Sequence, residues 1–292
     1  MTPVPTAAAR PDRVVAFRPP LVGVEEVLHA SWREHAYPAH THDTWTVLLV
    51  DDGAVAYDLD GRAGAAPSRS GVTVLPPHVP HDGRGMGGAG FTKRVLYLSP
   101  DQLGPDLVGR AVDAPLLRDA TLRAGVDRLH RALVGHDLLE AEARLALARE
   151  RLAALLRRRT PQPRSPQPLV AVRARERLDA DPTDGTTLAA VAADLQVSVP
   201  HLVRSFSAGY GIPPHRYVLG RRLDHARRLL LDGVPAGQVA VETGFYDQAH
   251  LTRHFRTFLG TTPARFQRSW SRAAPDHVRT RQVARPVTTM GA

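Results

Sequence analysis

The chain has 292 residues, enough for two compact domains that each bury an apolar core. It contains no cysteine, which excludes disulfides, thiolate metal sites and a cysteine nucleophile and leaves histidine and carboxylate as the available metal ligands. The formal net charge of +9 is uneven: from Leu169 onward 17 arginines stand against 10 carboxylates, so that half is the expected partner of a polyanion. The first residues carry no signal-peptide core, and no later run approaches the roughly 20 apolar residues of a membrane span. The expected location is the cytoplasm, with no membrane partner.

Residues 27–100 read as short strands bounded by turn residues: WTVLLVDDG, AVAYDLDG, GVTVLPP and KRVLYLS. Such a series predicts an antiparallel sandwich or small barrel, with GRGMGGAG at 83–90 as a loop. Within it, HAYPAHTHDTWTV places His40 and His42 two apart on one face of an expected strand, joined by Thr44 and Thr46. PPHVPHD then brings His78 and His81.

From about 115 to 158 the period becomes helical. Leu122, Val126, Leu129 and Leu133 share a face, Gly135 ends the run, and Asp137 with Glu140 has the spacing of a capping box for a second helix. That helix repeats leucine at 138, 145 and 152. The stripe either covers its own β-domain or meets a second copy of the chain, so a homodimer stays open. TPQPRSPQP, 160–168, has no hydrophobic pattern and reads as a semi-rigid linker.

Beyond the linker the chain repeats itself. Adding 49 takes Ser198 to Asp247, Leu202 to Leu251, Arg204 to Arg253, Phe206 to Phe255, Gly211 to Gly260, Pro214 to Pro263 and Tyr217 to Phe266. Ser198 and Asp247 are suitable N-caps, and each is followed by an apolar pair four residues apart that packs on a short preceding helix. This is the pattern of two helix-turn-helix units, with turns at 194–197 and 243–246. In the second unit the free face shows Gln248, Ala249, Thr252, Arg253 and Arg256, side chains suited to base edges. In the first it holds Pro200, Val203 and Arg204 with His201 at its edge, a poorer hydrogen-bonding set. Between them HRYVLGRRLDHARRLLL forms one helix, whose paired arginines at 221/222 and 227/228 are expected on exposed sides against phosphate.

SVPHLVRSFSAGYGIPPHRYV, RRLDHARRLLLDG and GFYDQAHLTRHFRTFLGTTPARFQR resemble the signature of AraC/XylS-type transcriptional regulators over about 100 residues. The resemblance implies double-stranded DNA as partner. It also implies base-reading positions at Pro200, His201, Val203 and Arg204, then Gln248, Ala249, His250, Thr252 and Arg253. RNA polymerase is a further candidate partner. The first half resembles a cupin-type sensor, with an H-x-H strand and a G-x4-PP-x3-H segment from Gly71 to His81. The metal-binding cupin pattern expects glutamate where this chain has Thr46, so His40, His42, Thr46 and His81 are expected to line a pocket for a small-molecule effector.

The expectation is thus an α+β chain. Residues 1–159 form an antiparallel β-barrel with a helix pair, 160–168 the linker, 169–272 an all-α domain with two helix-turn-helix motifs, and 273–292 a tail. It assigns no catalytic residue, cofactor or metal. Two alternatives stand beside it: a metal-dependent cupin enzyme fused to a DNA-binding module, and a constitutive DNA binder whose β-domain only dimerises.

Overall fold

The computed structural model describes residues 12–88, 90–160, 167–180, 182 and 187–273. The proline-rich stretch 161–166 and the tail from 274 lie outside the described residues.

The first half opens with nine strands: β1 (Arg13–Phe17), β2 (Val24–Trp32), β3 (Ala36–His40), β4 (Trp45–Asp52), β5 (Ala54–Leu59), β6 (Arg62–Pro67), β7 (Val72–Leu75), β8 (His81–Gly85) and β9 (Phe91–Leu98). A short helix α1 (Val108–Asp113), a two-residue strand β10 (Leu116–Leu117) and the helices α2 (Ala120–Val134) and α3 (Leu138–Arg157) complete it. All pairings are antiparallel. They make two sheets, ordered β1-β2-β9-β4-β7-β10 and β3-β8-β5-β6. The expected barrel is therefore not closed. The expected loop at 83–90 is also shorter, because the backbones of Arg84 and Gly85 pair with Ala56 and Val55 and keep β8 regular.

Alternation along β4 shows how the larger sheet serves two cores. Val47 and Leu49 face the helix pair, where Leu122, Val126, Leu129, Leu145 and Leu152 cover them. Leu48 and Val50 face the other way, onto Val55, Tyr57 and Leu59 of the smaller sheet. The leucines at 145 and 152 are thus spent inside their own domain, which removes them from any subunit contact. Leu139 and Leu147 remain exposed on α3. Both helices are capped by aspartate: Asp119 accepts from the N–H of Leu122 and Asp137 from that of Glu140.

The second half is all-helical: α4 (Leu169–Ala180), α5 (Leu188–Asp194), α6 (Val199–Tyr210), α7 (Pro214–Leu231), α8 (Ala236–Glu242), α9 (Gln248–Leu259) and α10 (Pro263–Ala273). The first unit, α5 and α6 with α4, has its own core of Ala171, Ala174, Leu178, Val191, Leu202, Phe206 and Tyr217. The second unit does not. Val239, Leu251, Phe255, Phe258 and Phe266 belong to the same apolar cluster as Trp32, Leu48 and Tyr97 of the β-domain. At the seam the Ala16 N–H donates to Ser269 Oγ (3.1 Å), and Trp32 lies directly over Gly260.

Candidate nucleic-acid interface and sensor site

The two reading helices are built alike. Ser198 Oγ accepts from the N–H of His201 at the start of α6, and Asp247 Oδ1 from that of His250 at the start of α9. Gly211 and Gly260 end them in the left-handed region, at φ 68° and 65°. Leu202, Phe206, Leu251 and Phe255 are all fully buried, so the opposite face of each helix is turned outward. The turns differ by one residue. The left-handed turn position is Gln196 (φ 54°) in the first unit and Gly244 (φ 73°) in the second, 48 apart rather than 49.

On α9, Gln248, Ala249, Thr252, Arg253 and Arg256 line one open surface depression. His250 is half-buried beside it and engaged locally: its Nδ1 accepts from the Tyr246 N–H (3.3 Å), while its Nε2 meets His254 Nε2 at 3.0 Å. On α6, Pro200, His201 and Arg204 are exposed, whereas Val203 is half-buried against the core of its own unit. The poorer polar capacity expected of α6 is thus narrowed further by packing.

The paired arginines of α7, at 221/222 and 227/228, depart from expectation. They face protein carboxylates and carbonyls, which takes them away from phosphate. Arg227, 3% exposed, donates to Glu26 Oε1 on β2 at 2.7 Å and lies 3.4 Å from Asp224 Oδ1. Arg228 pairs with Asp43 at 3.0 Å, and Arg221 sits 3.2 Å from both Asp43 and Asp179. Arg222 donates to the carbonyls of Pro182 and Gly244, each at 2.7 Å. Burial opposes the charge of Arg227, yet Glu26, Tyr97 and Asp224 outweigh it and hold the guanidinium firmly protonated. A helical period alone cannot tell a solvated arginine from one that meets a carboxylate some 200 residues earlier.

His40, His42 and His81 come together, all buried, with one ring nitrogen from each within 4.8 Å of the others. The strand pairing explains two of them, since His40 on β3 lies directly across from His81 on β8. His42 lies on neither strand: β3 ends at His40, and the following loop turns His42 back so that its Nε2 stands 3.1 Å from His40 Nε2. His78 stays outside the group, in a turn at φ 61°. Burial pushes two of these imidazoles toward their neutral forms, His40 well below the ordinary range and His81 down to about 3. Thr46 Oγ1 is buried without a partner and lines the same cavity of about 60 Å³, with Lys93, Tyr57, Tyr97 and Leu259 of α9.

Two participants were not legible from motifs. Lys93, the chain's only lysine, stands 3.8 Å over the Tyr37 ring, and burial brings its ammonium down to about 7. Asp224, on α7, accepts from His42 Nδ1–H at 2.9 Å. Burial would raise this carboxyl, but His42, Arg227 and Arg228 hold it well below the usual range. A second, larger cavity of about 510 Å³ lies among Arg13, Phe17, His29, Lys93, Arg94 and Leu133, and among the described residues none of its walls comes from the helical half.

A β-sheet sensor seated on paired helix-turn-helix units is the architecture of a two-domain regulator. Residues 22–156 match the AraC-like ligand binding domain and residues 191–269 the helix-turn-helix domain. The chain belongs to the AraC family of transcriptional regulators. It is 34% identical over 117 residues to the regulator RipA of Corynebacterium diphtheriae, a match covering 40% of this chain and 35% of RipA. It is 41% identical over 63 residues to the probable regulator LumQ of Photobacterium leiognathi, over 21% of this chain and 25% of LumQ. These matches span only a quarter to a third of the relatives' own lengths. Among solved structures, unsaturated fatty acid-bound ToxT of Vibrio cholerae superposes with a TM-score of 0.54 and 10% identity, over 93% of this chain and all of ToxT, a likeness of fold. No described helix is long and apolar enough to cross a membrane.

Proposed function

We propose that this protein is an effector-controlled transcription regulator that reads duplex DNA mainly through α9, with α6 positioning it. The observation that carries the reading is the pairing of two capped helices of one design, of which α9 turns Gln248, Ala249, Thr252, Arg253 and Arg256 to one open face. Arginine and glutamine recognise guanine and adenine in pairs of hydrogen bonds, and the small groups accommodate thymine methyls.

Control by a ligand requires that the ligand bind two states of the protein with different affinity. The cavity at His40, His42, Thr46 and His81 meets that requirement better than the larger one, because α7 and α9 close against it through Asp224 and Leu259. The cytoplasm, where a promoter is accessible, is the matching location. Exposed Leu139 and Leu147 on α3 support a homodimer. The test is a fluorescence anisotropy titration of the full chain on labelled duplex DNA across salt concentrations. The affinity should fall steeply as salt rises, as counterions are released from phosphate. Absence of binding at low salt, or binding indifferent to salt, contradicts the proposal.

A further inference from the structure

The outer face of the larger sheet changes chemistry along its strands while keeping its direction. Pairing aligns Phe17, Val27 and Leu96 in one cross-strand row, Val15, His29 and Arg94 in the next, and Arg13, Ser31 and Thr92 in the third. The first row is apolar and lies in the core under the helix pair. α2 stops at Val134, so the second and third rows reach past the end of their cover. Over them lies the cavity of about 510 Å³, bounded on the helix side by Leu133, Val134 and His136. Its volume falls within the roughly 300–1,000 Å³ of small-molecule sites. The histidine cavity lies on the opposite face of the same sheet, among Leu28, Leu48 and Val95.

The polar wall of the larger cavity is already ordered. Arg94 pairs with Asp51 at 2.7 Å and with Asp127 at 2.9 Å, and His29 Nε2 meets His130 Nδ1 at 3.2 Å. Ser31 Oγ stands 3.1 Å from Thr92 Oγ1, so one hydroxyl proton lies between them and the other is left to donate elsewhere. Val15, Phe17 and Leu133 supply an apolar wall. The field inside is positive: carboxylates match Arg94, but among the described residues none pairs with Arg13. His29 registers the excess, since burial, then Arg94 and more weakly Arg13, bring it down to about 4 against the pull of Asp51. An ordered polar wall, an apolar wall and an unmatched cation select an organic anion that carries its charge on a compact apolar body.

β1 forms one wall of this cavity and is also the edge strand that meets the DNA-binding half. Its Ala16 N–H donates to Ser269 Oγ of α10, and that hydroxyl in turn donates to the Phe266 carbonyl at 2.7 Å. Phe266 packs edge-on against Phe255 of α9, with ring centres 5.3 Å apart. Arg265 also donates to the Asp12 carbonyl at 3.3 Å, and Arg18 lies 3.6 Å from Asp232. Within its sheet β1 is laddered to β2 alone, so its displacement breaks fewer sheet bonds than that of an inner strand.

We propose that the hollow beyond the end of α2 is a second ligand site, for a singly charged organic anion with a compact apolar body, and that β1 relays its occupancy through Ser269 to α9. The relay rests on the regulator reading above, whereas the site does not.

The experiment titrates the full chain with anilinonaphthalene sulfonate, an aromatic monoanion that fluoresces in apolar surroundings, and with phenylnaphthylamine, the same ring body without the charge. The expected result is saturable uptake of one anion per chain. Arg13→Ala weakens the anion about 10-fold, the effect of losing one charged hydrogen bond, and leaves the neutral probe unchanged. Ser31→Phe fills the cavity and abolishes uptake of both. Val134→Glu, at an exposed position on the rim, preserves the fold by circular dichroism and weakens the anion alone. Saturating anion shifts the Kd for duplex DNA about 5-fold or more in wild type, and Ser269→Ala reduces that shift without changing uptake. No saturable uptake overturns the site, and so does uptake that Ser31→Phe and Val134→Glu both leave unchanged. An Arg13→Ala variant that binds both probes as wild type does, or loses both equally, overturns the choice of an anion. Uptake without any change in DNA affinity overturns the relay. Uptake by a chain that binds no DNA at all overturns the regulator reading and leaves the site standing.

Discussion

The two helix-turn-helix units share a design and differ in what they lean on. The first closes a core of its own through α4, with Ala39 of β3 packed against it. The second has no such core: its apolar side chains complete that of the sensor, and Gly260 at the end of α9 lies under the Trp32 indole. Duplication of a sequence pattern therefore did not duplicate the mechanical role. The unit with the richer base-reading face is also the one whose position the sensor dictates, which is where a signal from the β-domain has the most leverage.

The largest test of this contrast is the buried ion pair at the seam. Glu26→Ala leaves Arg227 in the interior without its closest partner and should lower unfolding stability by about 3–5 kcal/mol in urea titrations. A loss near zero would mean that α7 and β2 are not held together as described.

Acidification probes the same body from the histidine side. Burial lowers His29 and His35 to about 4, and His35 stacks on Trp32 at a ring distance of 4.6 Å. Because the folded values lie below those of the unfolded chain, the unfolded state binds more protons between them. The stability they contribute is whole above about pH 6.5 and drains as pH falls toward 4, by about 1.4 kcal/mol per pH unit for each histidine. The histidines of the first unit, His201 and His215, are exposed. Urea midpoints that stay level from pH 7 to pH 5 would contradict this.

The smallest effect, and the most direct comparison of the two units, comes from matched glycines. Gly211→Ala puts a side chain into the left-handed region where the nearest foreign atom is 4.0 Å away, and should cost about 1–2 kcal/mol. Gly260→Ala meets the same backbone penalty, but its Cβ falls 2.4 Å from Trp32, so repacking should add about 1–3 kcal/mol. Equal losses in melting experiments would show that the seam at Trp32 is soft.

These contrasts also mark what the amino-acid order could disclose. Ser198, Asp247 and the buried pairs at 202/206 and 251/255 are local signals, tied to neighbours within one helical turn, and the helix-turn-helix units follow from them. The strands at 45–52, 54–59, 72–75 and 91–98 were legible by alternation. β1 and α10 were not, because they meet each other across some 250 residues and that contact leaves no local pattern. α4 packs through alanines, Ala171 and Ala174, which make a faint stripe. The histidines at 40, 42 and 81 stood out, but the carboxylate that completes them is Asp224, 182 positions beyond His42. Long-range electrostatic partners leave no period in a sequence, and for the same reason the arginines of α7 read as surface.

Whether α9 reads bases while α6 positions is decided by Kd for a selected genomic fragment and for unrelated duplex DNA with wild type, Arg204→Ala and Arg253→Ala. Arg253→Ala should lose about 1–3 kcal/mol on the selected fragment and little on unrelated DNA, and Arg204→Ala should weaken both alike. Equal losses on both DNAs for Arg253→Ala, or none on either, would contradict it.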